Sequence, residues 1–334
     1  MRLRAGLRVL SRAPGEVQVG TDDRWAVRLE GLTERETTAV LALGAGADSD
    51  QLATGTGVRM DRLAELLRGA ALAAPARRVP AVTGPAGADA MVCGLIRPDG
   101  EGTRTVRERR DAVVGVVGLG PIGLGTAVAL AAAGVGTVLV DDEALVRSVD
   151  VGACGYRWSD VGSARERAAV RVLRDVAPEV RTESSAAPDV LVVVEHGAAD
   201  PARSELLLGS GTVHLPVLVR EADAVVGPLV VPGAGPCLRC LDLHRADADP
   251  AWPRLVAQLV GTAPGPEVGS LAAVCAGLAA ATVLSAVDEP PPRTRIRPGT
   301  AYEVSLPEVV PRTRTWEVHP DCGCTSHGAV AAAG

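Results

Sequence analysis

Four cysteines stand in two close pairs, Cys237-Leu-Arg-Cys240 and Cys322-Gly-Cys324, far apart in the chain. Thiolates are soft ligands, and four of them suit a tetrahedral ion such as zinc. A closed four-sulfur site is structural rather than catalytic. Four unrelated buried thiols are the plainer alternative, but two spaced pairs seldom arise by chance. Because Cys-x-Cys is tighter than the usual Cys-x-x-Cys, His319 or His327 could take the place of one sulfur. Cys93, Cys154 and Cys275 lack such spacing and read as core packing.

A second constellation is the turn Gly118-Leu119-Gly120-Pro121-Ile122-Gly123. An apolar run over 112–117 leads into it, a helical pattern over 124–133 follows, and a second strand over 137–140 ends at Asp141. Strand, glycine turn, helix, strand and acid together make a βαβ nucleotide-binding opening. In such openings, turn N–H groups receive phosphate and the acid holds the ribose. Helical periodicity over 164–176 and strand patterns over 190–194 and 216–219 continue the alternation, which predicts an α/β fold with a doubly wound, Rossmann-like sheet.

These elements need a frame, and the chain divides into two. Leu7 and Val9, then Val17 and Val19, then Trp25, Val27 and Leu29 alternate with polar neighbours, which predicts three short strands. Ala13-Pro14-Gly15 and Gly20-Thr21-Asp22-Asp23 supply the turns. Thr33 and Glu36 form a capping box for a helix to about Leu43; a short helix near 50–53 and a longer one over 60–73 follow. Three strands with three helices is a winged-helix-like α+β plan. Pro, Gly and Ala crowd 75–87, which reads as a linker. The expected organisation is therefore a small domain over 1–80, a linker and entry helix over 81–110, and the nucleotide-fold domain over 111–334.

At 334 residues, 47% hydrophobic and 22% charged, the chain has room and apolar content for these cores. Aromatics make up 2% and Phe is absent, so Leu, Val and Ala must fill them. There is no Lys, which removes lysine chemistry altogether. A net charge of -6 argues against nucleic-acid binding by the whole chain. The N-terminus carries no apolar signal stretch, and no run reaches the roughly 18 uncharged apolar residues of a membrane span. The Ala-rich stretch 271–287 reads as a buried helix. The expectation is a cytoplasmic protein with no membrane partner, where spaced cysteines mean metal more often than disulfides. Trp25, Trp158, Trp252 and Trp316 read as core anchors. The cluster Arg104, Arg107, Arg109 and Arg110, interrupted by Glu108, reads as a solvated helix face. His214 and His244 read as structural.

The run Gly235-Pro236-Cys237-Leu238-Arg239-Cys240-Leu241, after Gly227-Pro228-Leu229-Val230-Val231-Pro232, resembles the zinc knuckle of the ThiF/MoeB/HesA activating enzymes. His319-Pro320-Asp321-Cys322-Gly323-Cys324 resembles its closing half, and the glycine turn sits at the correct end. The resemblance covers about 111–324. It implies a homodimer with a structural zinc at Cys237, Cys240, Cys322 and Cys324, and adenylation of a peptide or sulfur-carrier carboxylate with ATP and Mg²⁺. Mapped by the same resemblance, cofactor contacts fall on Gly118, Gly120, Gly123, Asp141 and Arg165, the last standing where the family has a phosphate-contacting Lys. Other positions depart from the pattern. The family's Arg-Gln pair lands on Gly152-Ala153, its Mg²⁺-binding Asp lands near His196, and Pro121 deletes one N–H from the turn. A neutral His does not replace a carboxylate on Mg²⁺, a hard cation, although Glu195 lies one register step away. No catalytic residue is assigned, and the expectation is a pseudoenzyme with doubtful ATP binding.

The N-terminal pattern resembles the leader-recognition element of PqqD-like proteins, in which the third strand pairs with the leader of a ribosomal precursor peptide. The resemblance places that contact on Arg24, Trp25, Val27 and Arg28, with the 60–73 helix beside it; a plain packing subdomain is the alternative. Degenerate ThiF-like proteins with such an element resemble the leader-binding partners of azoline-forming cyclodehydratases. The implied partners are a precursor leader and a separate modifying enzyme. A NAD-dependent oxidoreductase would share the glycine turn and Asp141 but leaves the cysteine pairs unexplained. DNA binding through the winged unit would need a basic helix, and Asp61-Arg62-Leu63-Ala64-Glu65 mixes signs.

Overall fold

Alternating apolar residues set the first sheet. In the computed structural model, which describes residues 2–23, 25–48, 60–69, 72–74, 81–288 and 296–325, three antiparallel strands pair in chain order: β1 (Val9–Ala13), β2 (Glu16–Val19) and β3 (Val27–Leu29). Val17 faces Leu29 and Val19 faces both Val9 and Val27. Val17, Val19 and Leu29 are buried under Ala39, Val40 and Leu43 of α1 (Glu34–Gly44). The capping box forms as expected: the Thr33 hydroxyl accepts from Glu36 N at 3.3 Å, and the Glu36 carboxylate accepts from Thr33 N at 2.8 Å. α2 (Met60–Gly69) adds Leu67 to the same core. It stops short of the expected 73, where Ala73 instead bridges to Leu3. The short helix expected near 50–53 lies outside the described residues.

The stretch 81–110, expected as a linker and one entry helix, holds two helices, α3 (Ala86–Ile96) and α4 (Gly102–Arg109). Arg4 gives the physical reason α3 joins the N-terminal unit. Its buried guanidinium donates to the carbonyls of Gly94 at 3.1 Å, Arg97 at 2.6 Å and Pro98 at 2.7 Å. These are the carbonyls a helix C-terminus leaves without partners. The first compact unit accordingly runs to Arg107 and the second starts at Glu108.

The second unit is built on β4 (Val113–Val117), followed by α5 (Pro121–Ala132), β5 (Thr137–Asp141), α6 (Arg165–Val176), β6 (Val190–His196), α7 (Pro201–Gly209), β7 (His214–Val219) and β8 (Asp223–Val226). Then come α8 (Leu238–Ala248), α9 (Trp252–Leu259), α10 (Gly269–Val287), β9 (Thr300–Ser305) and β10 (Arg312–Thr315). The sheet order is β10-β9-β8-β7-β6-β4-β5. β5, β4, β6 and β7 run parallel, whereas β7, β8, β9 and β10 alternate direction. β5 and β6 flank β4 on opposite sides, so the chain changes direction beyond the C-terminal end of β4, where doubly wound sheets open a crevice.

Val114, Val116, Val138, Val192 and Val217 fill the sheet, and Leu124, Ala127 and Leu130 of α5 pack with Ala272, Cys275, Ala279 and Val283 of α10 in the same core. α10 has 19 residues and is long and apolar enough to pass a length-and-composition test for a membrane span. Its buried face inside this core is the pattern of a buried helix. Two expectations are corrected. Trp158 is 74% exposed rather than a core anchor, because it sits on a short 3-10 turn outside the sheet. Arg109 is buried rather than solvated: it forks onto both carboxylate oxygens of Asp288 at 2.7 Å and donates to Ala133 O at 2.8 Å.

Candidate functional site

The glycine turn lies between β4 and α5. Gly118 takes the left-handed conformation, φ 83°, and its N–H donates to Asp141 O at 2.9 Å. Asp141, at the exposed end of β5, is thus beside the turn. Pro121 opens α5 at its first position, where its missing N–H costs the helix nothing. Gly123 lies in the first helical turn.

Two further donors of the turn are met by protein carboxylates. Leu119 N donates to Asp142 Oδ2 at 2.6 Å, and Ile122 N donates to Glu267 Oε2 at 2.7 Å. Gly120 has no side chain for a specific reason: a Cβ there would overlap the Glu267 carboxylate. His196, at the end of β6, places Nε2 3.3 Å from Glu267 Oε1, with no hydrogen-bond partner for that nitrogen among the described residues. Arg165 is buried and donates to Asp142 at 3.0 Å and to Asp150 at 2.7 Å. Arg147 also holds Asp150, at 3.1 Å, and donates to Pro264 O at 3.2 Å. Burial by itself would raise the Asp150 carboxyl, but the hydrogen bonds from Arg147 and Arg165 outweigh it and hold the group below its usual range. Arg165, expected on phosphate, therefore spends its guanidinium on two carboxylates. Gly152-Ala153 lies in an exposed loop. Glu195, the register alternative to His196, receives Arg203 Nη1 at 2.8 Å and Asp200 N at 3.2 Å.

Sequence reasoning missed Asp142 and Glu267. The acid doublet after β5 was a local signal for the first. Glu267 is 145 positions from the N–H it caps, and only the tertiary fold reveals it.

The four cysteines come together at the other end of the same unit. Cys237 stands at the residue preceding α8, Cys240 lies in its first turn, and Cys322 and Cys324 return on the last described segment. All four are buried. Sulfur separations are 3.9 Å for Cys237–Cys240, 3.6 Å for Cys237–Cys322 and 3.5 Å for Cys240–Cys324. Four bonds of about 2.3 Å in tetrahedral array give edges of about 3.8 Å, so the cluster can hold a metal ion. Burial pushes the Cys237 thiol up to about 11. At Cys240 burial acts the same way, but backbone donors at His319 and Cys237 outweigh it and lower the thiol. His319 is not needed as a ligand: its Nδ1 accepts from Asp321 N at 3.1 Å and its Nε2 meets Asp247 Oδ2 at 2.8 Å. His327 lies outside the described residues. A cavity of about 850 Å³ borders the cluster, lined by Leu208, His214, Leu238 and Arg239 among others, and by no residue of the glycine turn.

In the first unit, Val27, Arg28 and Leu29 form β3, with Arg28 exposed and Trp25 half-buried. Arg24 lies outside the described residues. β3 is an outer strand; among the described residues its second edge has no strand partner.

Residues 96–191 match the model of the ThiF family. Over that stretch the chain is similar to the ThiF family. No curated protein matches the sequence. Among solved structures, E. coli MccB with ATP has a TM-score of 0.70 at 16% identity, covering 97% of this chain and 98% of that one. The Microcin C7 biosynthetic enzyme MccB in complex with N-formylated MccA gives 0.69 at 15% identity, over 97% and 99%. PaaA gives 0.67 at 15% identity, over 93% and 99%. At such identities the likeness is one of fold, and it extends beyond residues 96–191 to nearly the whole chain.

Proposed function

We propose that this chain is a non-catalytic ThiF-type protein that binds the leader of a ribosomal precursor peptide and presents it to a separate modifying enzyme. The observation that carries this reading is at the glycine turn. Adenylation needs cations and a metal to take up charge developing on pyrophosphate. Here the turn's N–H groups at 119 and 122 meet carboxylates, Arg165 is committed to Asp142 and Asp150, and His196 stands where the resemblance puts the metal-binding acid. ATP and Mg²⁺ do not fit the residues present. Similarity of fold to a microcin biosynthetic enzyme supports a ThiF-like role in peptide-modifying biosynthesis.

The peptide half of the reading rests on β3. Among the described residues one edge of β3 has no strand partner, and such an edge offers main-chain N–H and C=O groups to an extended segment whatever its sequence. Arg28 and Trp25 then face the incoming chain, with Arg24 before them, as in a PqqD-like element. We assign zinc to Cys237, Cys240, Cys322 and Cys324, and place the protein in the cytoplasm as a homodimer.

The test uses full-length protein and fluorescent leader segments of precursor peptides encoded beside its gene. Wild type should bind one of them and catalyse no leader-dependent exchange of pyrophosphate into ATP. Val27→Pro should weaken binding about tenfold or more, since each lost main-chain hydrogen bond costs roughly 1 kcal/mol. Arg28→Glu, at an exposed site, should weaken it without touching the core. Robust exchange would instead support an ATP-dependent adenylyltransferase. Binding indifferent to both substitutions would move the peptide off β3.

A further inference from the structure

The network around α5 goes beyond a decayed nucleotide site. Glu267 belongs to the loop between α9 and α10, in which 261–266 and Val268 are exposed while Glu267 itself is 6% exposed. The loop thus passes over the surface and drops one carboxylate inward, onto Ile122 N at the start of α5. Gly120 leaves the space that this carboxylate fills. Arg147 anchors the loop at Pro264 O, and the charges then alternate inward: Arg147, Asp150, Arg165, Asp142. The last of these caps Leu119 N. With Pro121 contributing no donor and Gly118 N spent on Asp141 O, the turn's N–H groups at 118, 119 and 122 are all engaged within the protein.

We infer that the protein supplies its own anion: Glu267 takes the place of a nucleotide phosphate at the N-terminus of α5 and keeps the turn closed to phosphate. A helix N-terminus attracts negative charge through its free N–H groups and its dipole. With a buried carboxylate seated at that end, a phosphate arriving there meets two negative side chains and no free donor at 118, 119 or 122. Burial of Glu267 is therefore compensated in the folded chain by the positions a nucleotide would have used. The inference rests on the non-catalytic reading above and names the group that enforces it.

The experiment measures binding of inorganic pyrophosphate and of ATP, with and without Mg²⁺, to full-length wild type and Glu267→Ala by calorimetry. Alanine removes the carboxylate and leaves Ile122 N unpaired in a vacated space. Glu267→Ala should gain pyrophosphate affinity by about tenfold or more, the value of a charge-assisted hydrogen bond, while wild type shows no saturable binding. Hydrogen exchange of the amides over 118–124 in wild type provides a second reading that does not depend on the variant folding. Pyrophosphate should leave that exchange unchanged. Wild-type binding as tight as that of the variant, protection of 118–124 by pyrophosphate in wild type, or a folded Glu267→Ala with no gain would each overturn the inference. Exchange of pyrophosphate into ATP by wild type would overturn the non-catalytic reading itself; anion binding without exchange would overturn only the role of Glu267.

Discussion

Protein purified without chelators should carry close to one zinc per chain, and Cys240→Ser should lose it together with the ordered C-terminal segment. Cys240 is fully buried and lies 3.9 Å and 3.5 Å from two of the other three sulfurs. Thiols in that arrangement cannot all ionise without a cation between them, so metal capture expels their protons and ties binding to folding. In isolated zinc-finger peptides such a site supplies roughly 10–16 kcal/mol of apparent binding free energy. The large sheet here has its own apolar core, so the loss should fall on what packs round the cluster: Trp316, Leu241, Val230 and Ala301. Elemental analysis reads the metal, and hydrogen exchange over 296–325 reads the segment. Metal-free wild type, or a serine variant that keeps both zinc and protection, would remove the basis for the assignment.

Arg165→Ala should destabilise the fold by about 3–5 kcal/mol, because it leaves two buried or half-buried carboxylates without their shared cation. Asp150 is 2% exposed, and Arg165 reaches it at 2.7 Å while also holding Asp142 at 3.0 Å. Lysine should recover little, since a single ammonium cannot reproduce the planar fork across two acids. The pH dependence has a definite sign. The folded-state pKa of Asp150 is depressed, so its contribution is present above the ordinary carboxylate range and is lost as pH falls. The stability gap between wild type and Arg165→Ala should therefore be widest near neutrality and narrow below about pH 4. Urea unfolding at both pH values measures it; a gap under about 1 kcal/mol near neutrality would show that the pair contributes no more than a surface ion pair.

Local chemistry made much of this legible beforehand. The capping box at Thr33, the alternation at Val17 and Val19, and the strand–turn–helix at 113–132 all follow from near neighbours, and each element lies within a few residues of its expected place. β6 and β7 run longer than their apolar runs because His196 and His214, polar in sequence, still pair in the sheet. The helix over 102–109 falls where one entry helix was expected, but that over 86–96 was hidden by the Pro-, Gly- and Ala-rich run over 75–87; what fixes it is Arg4, some ninety positions earlier. The cysteine cluster was readable because ligand spacing is itself a local pattern. The closure of the turn was not, since Glu267 shows no local pattern and acquires its role only where the α9–α10 loop passes α5.

The two halves of the cysteine cluster are contributed 85 positions apart. α10 and β9 lie between them, so with an ion bound that whole stretch becomes a ring. A growing chain presents the first pair early and the second only after α10 and β9 have been synthesised, which makes ion capture a late event in maturation. By the bookkeeping for covalent cross-links, closing a ring of this size is worth roughly 4–5 kcal/mol against the unfolded chain. Unlike a disulfide, this closure can be undone by a chelator. A protease that cuts the exposed 261–266 loop would then leave two fragments tied by the ion in addition to the packing of α10 on α5 and the pairing of β9 with β8.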